Sequence, residues 1–254
     1  MSRAGFTDVR RFDEIDSTNR YLLDEARAGA PEGLVAVADF QRAGRGRLDR
    51  SWEAPPGGAL LLSVLLRPDL RADQLHLASV VVALSAMDAA AAVAGVVPGL
   101  KWPNDLVVDE DKLAGVLAQV QPGPAGARPA VVVGIGMNVT WPGPPGVAAT
   151  SLARVAGRPV EVAALAQSLL DALDARRPGL DEPAGRRRLA GEARDRCVTI
   201  GRTVRVDLDG RSLEGRAVDL TAEGHLVLDG PGGRLEVAAG DVVHLRPGGP
   251  GAAE

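Results

Sequence analysis

The chain has 254 residues, with 33 acidic and 29 basic side chains, a formal net charge of −4 and a pI near 5.5. That balance argues against a general polyanion binder, since nucleic-acid domains tend to be basic. The single cysteine, Cys197, excludes an internal disulfide, and three scattered histidines (His76, His225, His244) offer no metal-ligand spacing.

In chain order, residues 9–12 are short and β-like, and Asp16-Ser17-Thr18-Asn19 supplies the N-cap of an amphipathic helix that stops at Gly29. Residues 1–16 are charged and lack the apolar core of a signal peptide. A strand over 34–40 leads into Gln41-Arg-Ala-Gly-Arg-Gly-Arg-Leu-Asp-Arg-Ser-Trp52, and a second strand follows at 59–66. Helical spacing of apolar residues predicts a long helix over 72–93. The most membrane-like run, 78–97, is Ala-rich and carries Ser79, Ser85 and Asp88, which suits a buried helix better than a span. Lys101-Trp102-Pro103-Asn104-Asp105 is too polar and Pro-broken for an ordinary strand, whereas 106–108 and 112–121 form a hairpin about a turn at 109–111. A Pro/Gly loop over 121–129 precedes a buried strand at 130–139, whose Gly134 and Gly136 mark close approach of something to its backbone. Loop 141–149 and helices at 160–175 and 184–196 complete the first part. From about Val198 the texture becomes short strands, at 203–208, 211–220, 226–228, 234–237 and 242–245, with an Asp209-Gly210 hairpin signal. This predicts a small β-barrel and a frayed tail.

Two features carry chemistry. The loop after residue 41 holds four arginines (Arg42, Arg45, Arg47, Arg50) and two glycines (Gly44, Gly46) and ends on Trp52, one of three tryptophans. Glycines let it bend and approach a ligand, and arginines present permanently charged forks to phosphate or carboxylate. Of the 29 basic residues all but Lys101 and Lys112 are arginine. Where arginine serves nearly everywhere, those two lysines stand out as positions needing a compact point charge on a slim stem.

Together, Asp16-Ser17-Thr18-Asn19, the Gly44-Arg45-Gly46-Arg47…Arg50-x-Trp52 loop, Lys101-Trp102-Pro103-Asn104-Asp105 with Lys112-Leu113-Ala114-Gly115, and Gly134-Ile135-Gly136-Met137-Asn138-Val139 resemble biotin–protein ligases. The likeness is specific from about Asp16 to Asn138 and weaker beyond. It implies an α/β (α+β) class II aminoacyl-tRNA synthetase-like mixed-sheet core over 1–196, an SH3-like C-terminal barrel over 197–247 and a tail at 248–254. It also implies a two-step reaction. Biotin carboxylate attacks the α-phosphate of MgATP to give biotinyl-5′-AMP and pyrophosphate, and a lysine of a biotin carboxyl carrier protein or domain then displaces AMP. Biotin, ATP and Mg2+ are the implied small molecules.

Such chemistry needs no proton-relay nucleophile. It needs two anions brought in line and the developing charge neutralised. By resemblance Lys112, Arg47, Arg45 and Asp105 are catalytic. Ser17, Thr18, Asn19, Gln41, Arg45, Gly46, Arg47, Lys112, Gly115, Gly134 and Gly136 line the biotin site. Arg47, Arg50, Trp52, Asn104, Lys112 and Asn138 serve the adenylate, and no protein side chain is assigned to a metal. The glycines further predict a lid over 42–58 that is disordered until biotinyl-AMP orders it. Leu48-Asp49 departs from relatives that carry another arginine and a glycine there, which adds negative charge beside the phosphates.

A lipoate–protein ligase is the alternative within the same superfamily. A biotin-responsive repressor is the alternative from another class, disfavoured because only sixteen residues precede Ser17. The expectation is a cytoplasmic enzyme with no DNA and no membrane partner, as monomer or weak homodimer.

Overall fold

The computed structural model describes residues 5–48, 50–123, 128–208, 211–238 and 240–245. Seven strands, β1 (Asp8–Ile15), β2 (Leu34–Gln41), β3 (Ala59–Leu66), β4 (Gly99–Lys101), β5 (Asp105–Val108), β6 (Asp111–Gln121) and β7 (Ala130–Asn138), form one sheet in the order β1-β2-β3-β7-β6-β5-β4. Only β1 and β2 pair in parallel. β3 reads Ala-Leu-Leu-Leu-Ser-Val-Leu-Leu without an exposed side chain, because it lies between β2 and β7 with both faces covered.

Alternation along the strands splits the two faces. Leu60, Leu62, Val64 and Leu66 of β3, with Val131, Val133 and Ile135 of β7, pack under helix α2 (His76–Ala94), which α4 (Val162–Arg176) and α5 (Pro183–Asp195) back. α2 is long and apolar enough to cross a membrane, yet 67% of its apolar window is buried as the core helix. On the opposite face, Leu65, Ala130 and Val132 pack against Leu22 and Ala26 of α1 (Thr18–Arg27). This helix covers only part of the face. The rest, carrying Ser63, Gly115, Gly134, Gly136 and Asn138, opens into a cavity of about 630 Å³.

A second, antiparallel sheet takes β8 (Thr203–Leu208), β9 (Arg211–Leu220), β10 (Leu226–Gly230), β11 (Gly233–Val237) and β12 (Asp241–His244) in the order β11-β10-β9-β8-β12. Its core of Val204, Val206, Ala217, Leu226 and Leu228 receives Trp102 and Cys197 from outside the sheet. The architecture is thus the expected mixed α/β core with a C-terminal antiparallel β unit.

Several local expectations are corrected. β1 runs on to Ile15, because ladder bonds to β2 and not burial sustain this mostly exposed edge. Residues 72–74 are a 3-10 turn before α2, and a short helix α3 (Leu152–Ala156), capped by Ser151, was not expected. Lys101 closes the three-residue strand β4, and a cis Trp102–Pro103 bond follows it. The Asp209-Gly210 turn and the 248–254 tail lie outside the described residues.

Candidate functional site

One end of the cavity is a knot of hydroxyl and amide groups at the start of α1. Ser17 caps the helix, its Oγ accepting from Arg20 N–H at 3.5 Å. Thr18 donates to Gln41 Oε1 through its backbone N–H at 2.7 Å, with its Oγ1 at 2.9 Å from the same oxygen. Ser63 Oγ lies 2.7 Å from both Thr18 Oγ1 and Asn19 Oδ1. Asn19 Nδ2 donates to Leu117 O at 3.2 Å and Gln119 Oε1 at 2.9 Å. The backbone therefore fixes both amides: Gln41 Oε1 must accept, and Asn19 must present its oxygen to Ser63. Three oxygen–oxygen contacts share two hydroxyl protons. The cluster is one proton short and favours a ligand that brings N–H donors.

Ser63 was missed in the sequence. The available signal was a single polar residue within an otherwise apolar strand. Asn19, expected to touch ligand, has its amide engaged by protein on both sides. Gly134, expected as a cavity wall, is glycine because a Cβ there would lie 2.2 Å from Asn19 Oδ1.

The middle of the cavity floor is the registered pair Gly115 and Gly136 on β6 and β7. A Cβ on Gly136 would meet the Trp52 ring at 2.3 Å, and one on Gly115 would meet it at 3.3 Å. Trp52 thus lies flat on a glycine floor, with Lys112 Nζ 5.7 Å from its ring centre, a cation–π approach. Its indole Nε1 is the one buried side-chain polar atom among the described residues that has no hydrogen-bond partner. Buried N–H groups without acceptors are costly, so this donor is suited to a ligand's acceptor.

The other end is charged. Lys112 pairs with Asp105 across β5 and β6 at 2.7 Å, and its backbone is clamped to residues 148–150 by bonds at 3.0 and 2.9 Å. Asn138 Nδ2 donates to Thr150 O at 3.0 Å and holds the same segment. Asn104 Nδ2 donates to Val116 O at 2.8 Å, while its Oδ1 accepts from Arg47 at 3.1 Å. Both asparagines border the cavity, but their amide NH2 groups brace its walls. Five cations line the space (Arg45, Arg47, Arg50, Lys101, Lys112) against Glu53, Asp105, Asp207 and Asp241. Burial pulls the Arg47 guanidinium below its ordinary pKa, with the Asp241 and Asp105 carboxylates opposing the shift. It remains a cation at any relevant pH.

Over its described residues the Arg/Gly loop folds back on itself. Gly46 N–H donates to Arg50 O at 2.6 Å and Trp52 N–H to Gly44 O at 3.0 Å, with Arg45 bridged to Ser51. Gly44 has to be glycine, since a Cβ there would stand 2.4 Å from Trp52 O. The hairpin is tied down beyond its own backbone: Arg42 pairs with Glu14 and Asp16, Arg47 reaches Gly240 O at 3.4 Å, and Arg50 pairs with Asp241. Leu48 sits at φ 53° and is exposed.

The Lys101–Asp105 turn is fixed by the second sheet. Trp102 N–H donates to Thr199 Oγ1 at 3.1 Å and its indole to Gly224 O at 2.8 Å. The turn thereby sets Asn104 and Asp105 at the cavity while its tryptophan is buried in the neighbouring core.

Residues 12–138 match the biotin/lipoate A/B protein ligase family, and 199–245 match the biotin protein ligase C-terminal domain. The chain is 40% identical over 240 residues to a biotin--[acetyl-CoA-carboxylase] ligase of Mycobacterium tuberculosis, covering 92% of this chain and 87% of that one. It is 29% identical to the Bacillus subtilis bifunctional ligase/repressor BirA, covering 91% of this chain and 72% of that one. The biotin protein ligase of Aquifex aeolicus, solved with biotin and ATP, superposes with a TM-score of 0.80 at 27% identity, covering 95% of this chain and all of that one. The chain belongs to the biotin/lipoate A/B protein ligase family and carries the C-terminal domain of its biotin protein ligases.

Proposed function

We propose that the cavity joins biotin to ATP and passes the activated acid to a lysine of a biotin carboxyl carrier protein, as an ATP-dependent biotin–[acetyl-CoA-carboxylase] ligase. The observation that carries this reading is the polarity of one continuous space. A neutral, acceptor-rich knot stands at one end, a glycine floor under an indole in the middle, and a cation cluster at the other. Biotin has the matching order: a ureido ring with two N–H donors, an apolar chain and a carboxylate.

In the first step a biotin carboxylate oxygen attacks the α-phosphorus, and the bond from that phosphorus to the bridging oxygen breaks to release pyrophosphate. Lys112 and Arg45 hold the carboxylate, while Arg47 and Arg50 face the phosphates. Their fixed charges offset the repulsion between two anions and the charge that gathers on phosphate oxygens. Asp105 holds the Lys112 ammonium in place. The Trp52 indole N–H meets an acceptor on the adenylate, and its ring covers the mixed anhydride against water. In the second step the carrier's lysine amine attacks the acyl carbon and AMP leaves with the electron pair.

Mg2+ fits as part of the nucleotide. Asp105, Asp241 and Asp207 at the cavity are paired with Lys112, Arg50 and Arg205, and no group of three or more His, Cys, Asp or Glu among the described residues could hold a metal. When bound, it shields the phosphate charge. We also propose that 1–196 form the catalytic unit and 197–247 the C-terminal unit, in a cytoplasmic enzyme acting without DNA.

The test is ATP–pyrophosphate exchange with biotin or lipoate as the acid. Exchange dependent on biotin is expected. Exchange with lipoate alone would overturn the choice of acid, and exchange with neither would overturn the reaction.

A further inference from the structure

The C-terminal sheet enters the cavity at the start of β12. Gly240 packs so closely on β8 that a Cβ would stand 2.5 Å from Val206 Cγ1 and 3.0 Å from Leu208 Cδ2. That close approach sets the Gly240 carbonyl against Arg47 and the Asp241 carboxylate against Arg50. Asp241 lies directly opposite Asp207 in the β8–β12 register. Like charges facing each other across strands repel unless each has a counter-ion. Asp207 has Arg205 at 3.0 Å on its own strand, and the partner of Asp241 is the lid's Arg50.

As a stabilising contact this pair contributes little. The Arg50 side chain is 66% exposed, and exposed ion pairs contribute little net stability. Orientation is another matter. A guanidinium has five donors in a rigid fork, so the edge that leaves Asp241 free can still take a phosphate oxygen. A long side chain on a loop, left unpaired, would spread over many rotamers.

We propose that Asp241 is a positioning residue for adenylation, holding Arg50 with its free edge toward the nucleotide phosphates. This rests on the function proposed above.

Biotin-dependent pyrophosphate exchange at saturating biotin tests it, with wild type, Asp241→Asn, Asp241→Glu, Arg50→Ala and the Arg50→Ala/Asp241→Asn double variant. Asp241→Asn is expected to raise the KM for ATP roughly three- to fivefold while the KM for biotin and kcat change less than about twofold. Asp241→Glu should fall between it and wild type, and Asp241→Asn should add nothing once Arg50 is alanine. Melting temperature and biotin binding without ATP report folding. Should Asp241→Asn not fold, Asp241→Glu alone and on the Arg50→Ala background carries the same test. An unchanged or lowered ATP KM in the folded Asp241 variant, or effects that multiply with Arg50→Ala, would overturn the proposal. Absence of exchange in the wild type would instead overturn the proposed function.

Discussion

Replacing Gly134 by alanine tests whether the polar knot at the start of α1 is a structural joint as well as a ligand site. The new Cβ would stand 2.2 Å from Asn19 Oδ1 and 3.1 Å from Ser63 Oγ, where ordinary contact begins near 3.4 Å. Asn19 would have to retreat by about 1 Å, because the β7 backbone lies between two paired strands and has little freedom. That retreat breaks the bonds from its Nδ2 to Leu117 O and Gln119 Oε1 and frees Ser63. Orphaning buried amide groups costs about 1–3 kcal/mol and overpacking a similar amount, so a loss of roughly 2–4 kcal/mol is expected. For a chain of this size that lowers Tm by on the order of 10 °C. Thermal unfolding followed by circular dichroism measures it, and biotin titration should show weakened binding. Gly191→Ala is the control: it lies mid-helix in α5 with nothing within 4 Å of the new methyl, and should gain about 0.5–1 kcal/mol. If Gly134→Ala melts within a degree of wild type, the close packing under Asn19 is not what this glycine serves.

Three further outcomes are expected. Trp52→Phe removes a buried, unpartnered N–H, which offsets part of the packing lost over Gly136, so the ligand-free protein should lose less than about 1 kcal/mol while the share of any fluorescence change on adenylate formation that comes from Trp52 is lost. Asp105→Asn should slow biotin-dependent pyrophosphate exchange and not carrier transfer alone, because Lys112 loses its partner; normal adenylate formation with failed transfer would assign Asp105 to the second step instead. Asp88→Asn should destabilise by about 1–2 kcal/mol at neutral pH, because Arg176 and Arg196 lose their shared carboxylate between α2, α4 and α5. Burial would raise the Asp88 pKa, but hydrogen bonds from Arg176 and Arg196 outweigh it and hold the carboxyl below its ordinary value. Its contribution is therefore complete above the unfolded pKa and lost as pH falls through the lower folded one, so in chemical denaturation the gap should close below about pH 4. A gap that stays constant to pH 2 would contradict this.

What the sequence carries locally is recovered well. The run of apolar residues at 59–66 matches β3 to the residue, and the Ser17 cap stands where its Asp-Ser-Thr-Asn context places it. The glycines of β7 do mark close approaches, but the approaching groups are Trp52 and Asn19, eighty or more residues away in the chain. Period and propensity hold no information on such partners. The same limit hid Asp241, which meets Arg50 only because two sheets pack together, and it hid the burial of Trp102 in the second core. β1 was read short because an exposed edge strand has no hydrophobic alternation to extend it.

The central claim is that one cavity activates biotin and retains the product for transfer. Incubating the protein with biotin and MgATP, removing free small molecules and analysing what remains bound by mass spectrometry measures this directly. Biotinyl-5′-AMP should be recovered at about one per chain, and adding a biotin carboxyl carrier domain should move the biotin to a lysine of that domain and release AMP, with Lys112→Ala reducing the adenylate at least roughly a hundredfold. Recovery of no adenylate, with no biotin-dependent pyrophosphate and no label on the carrier, would contradict it.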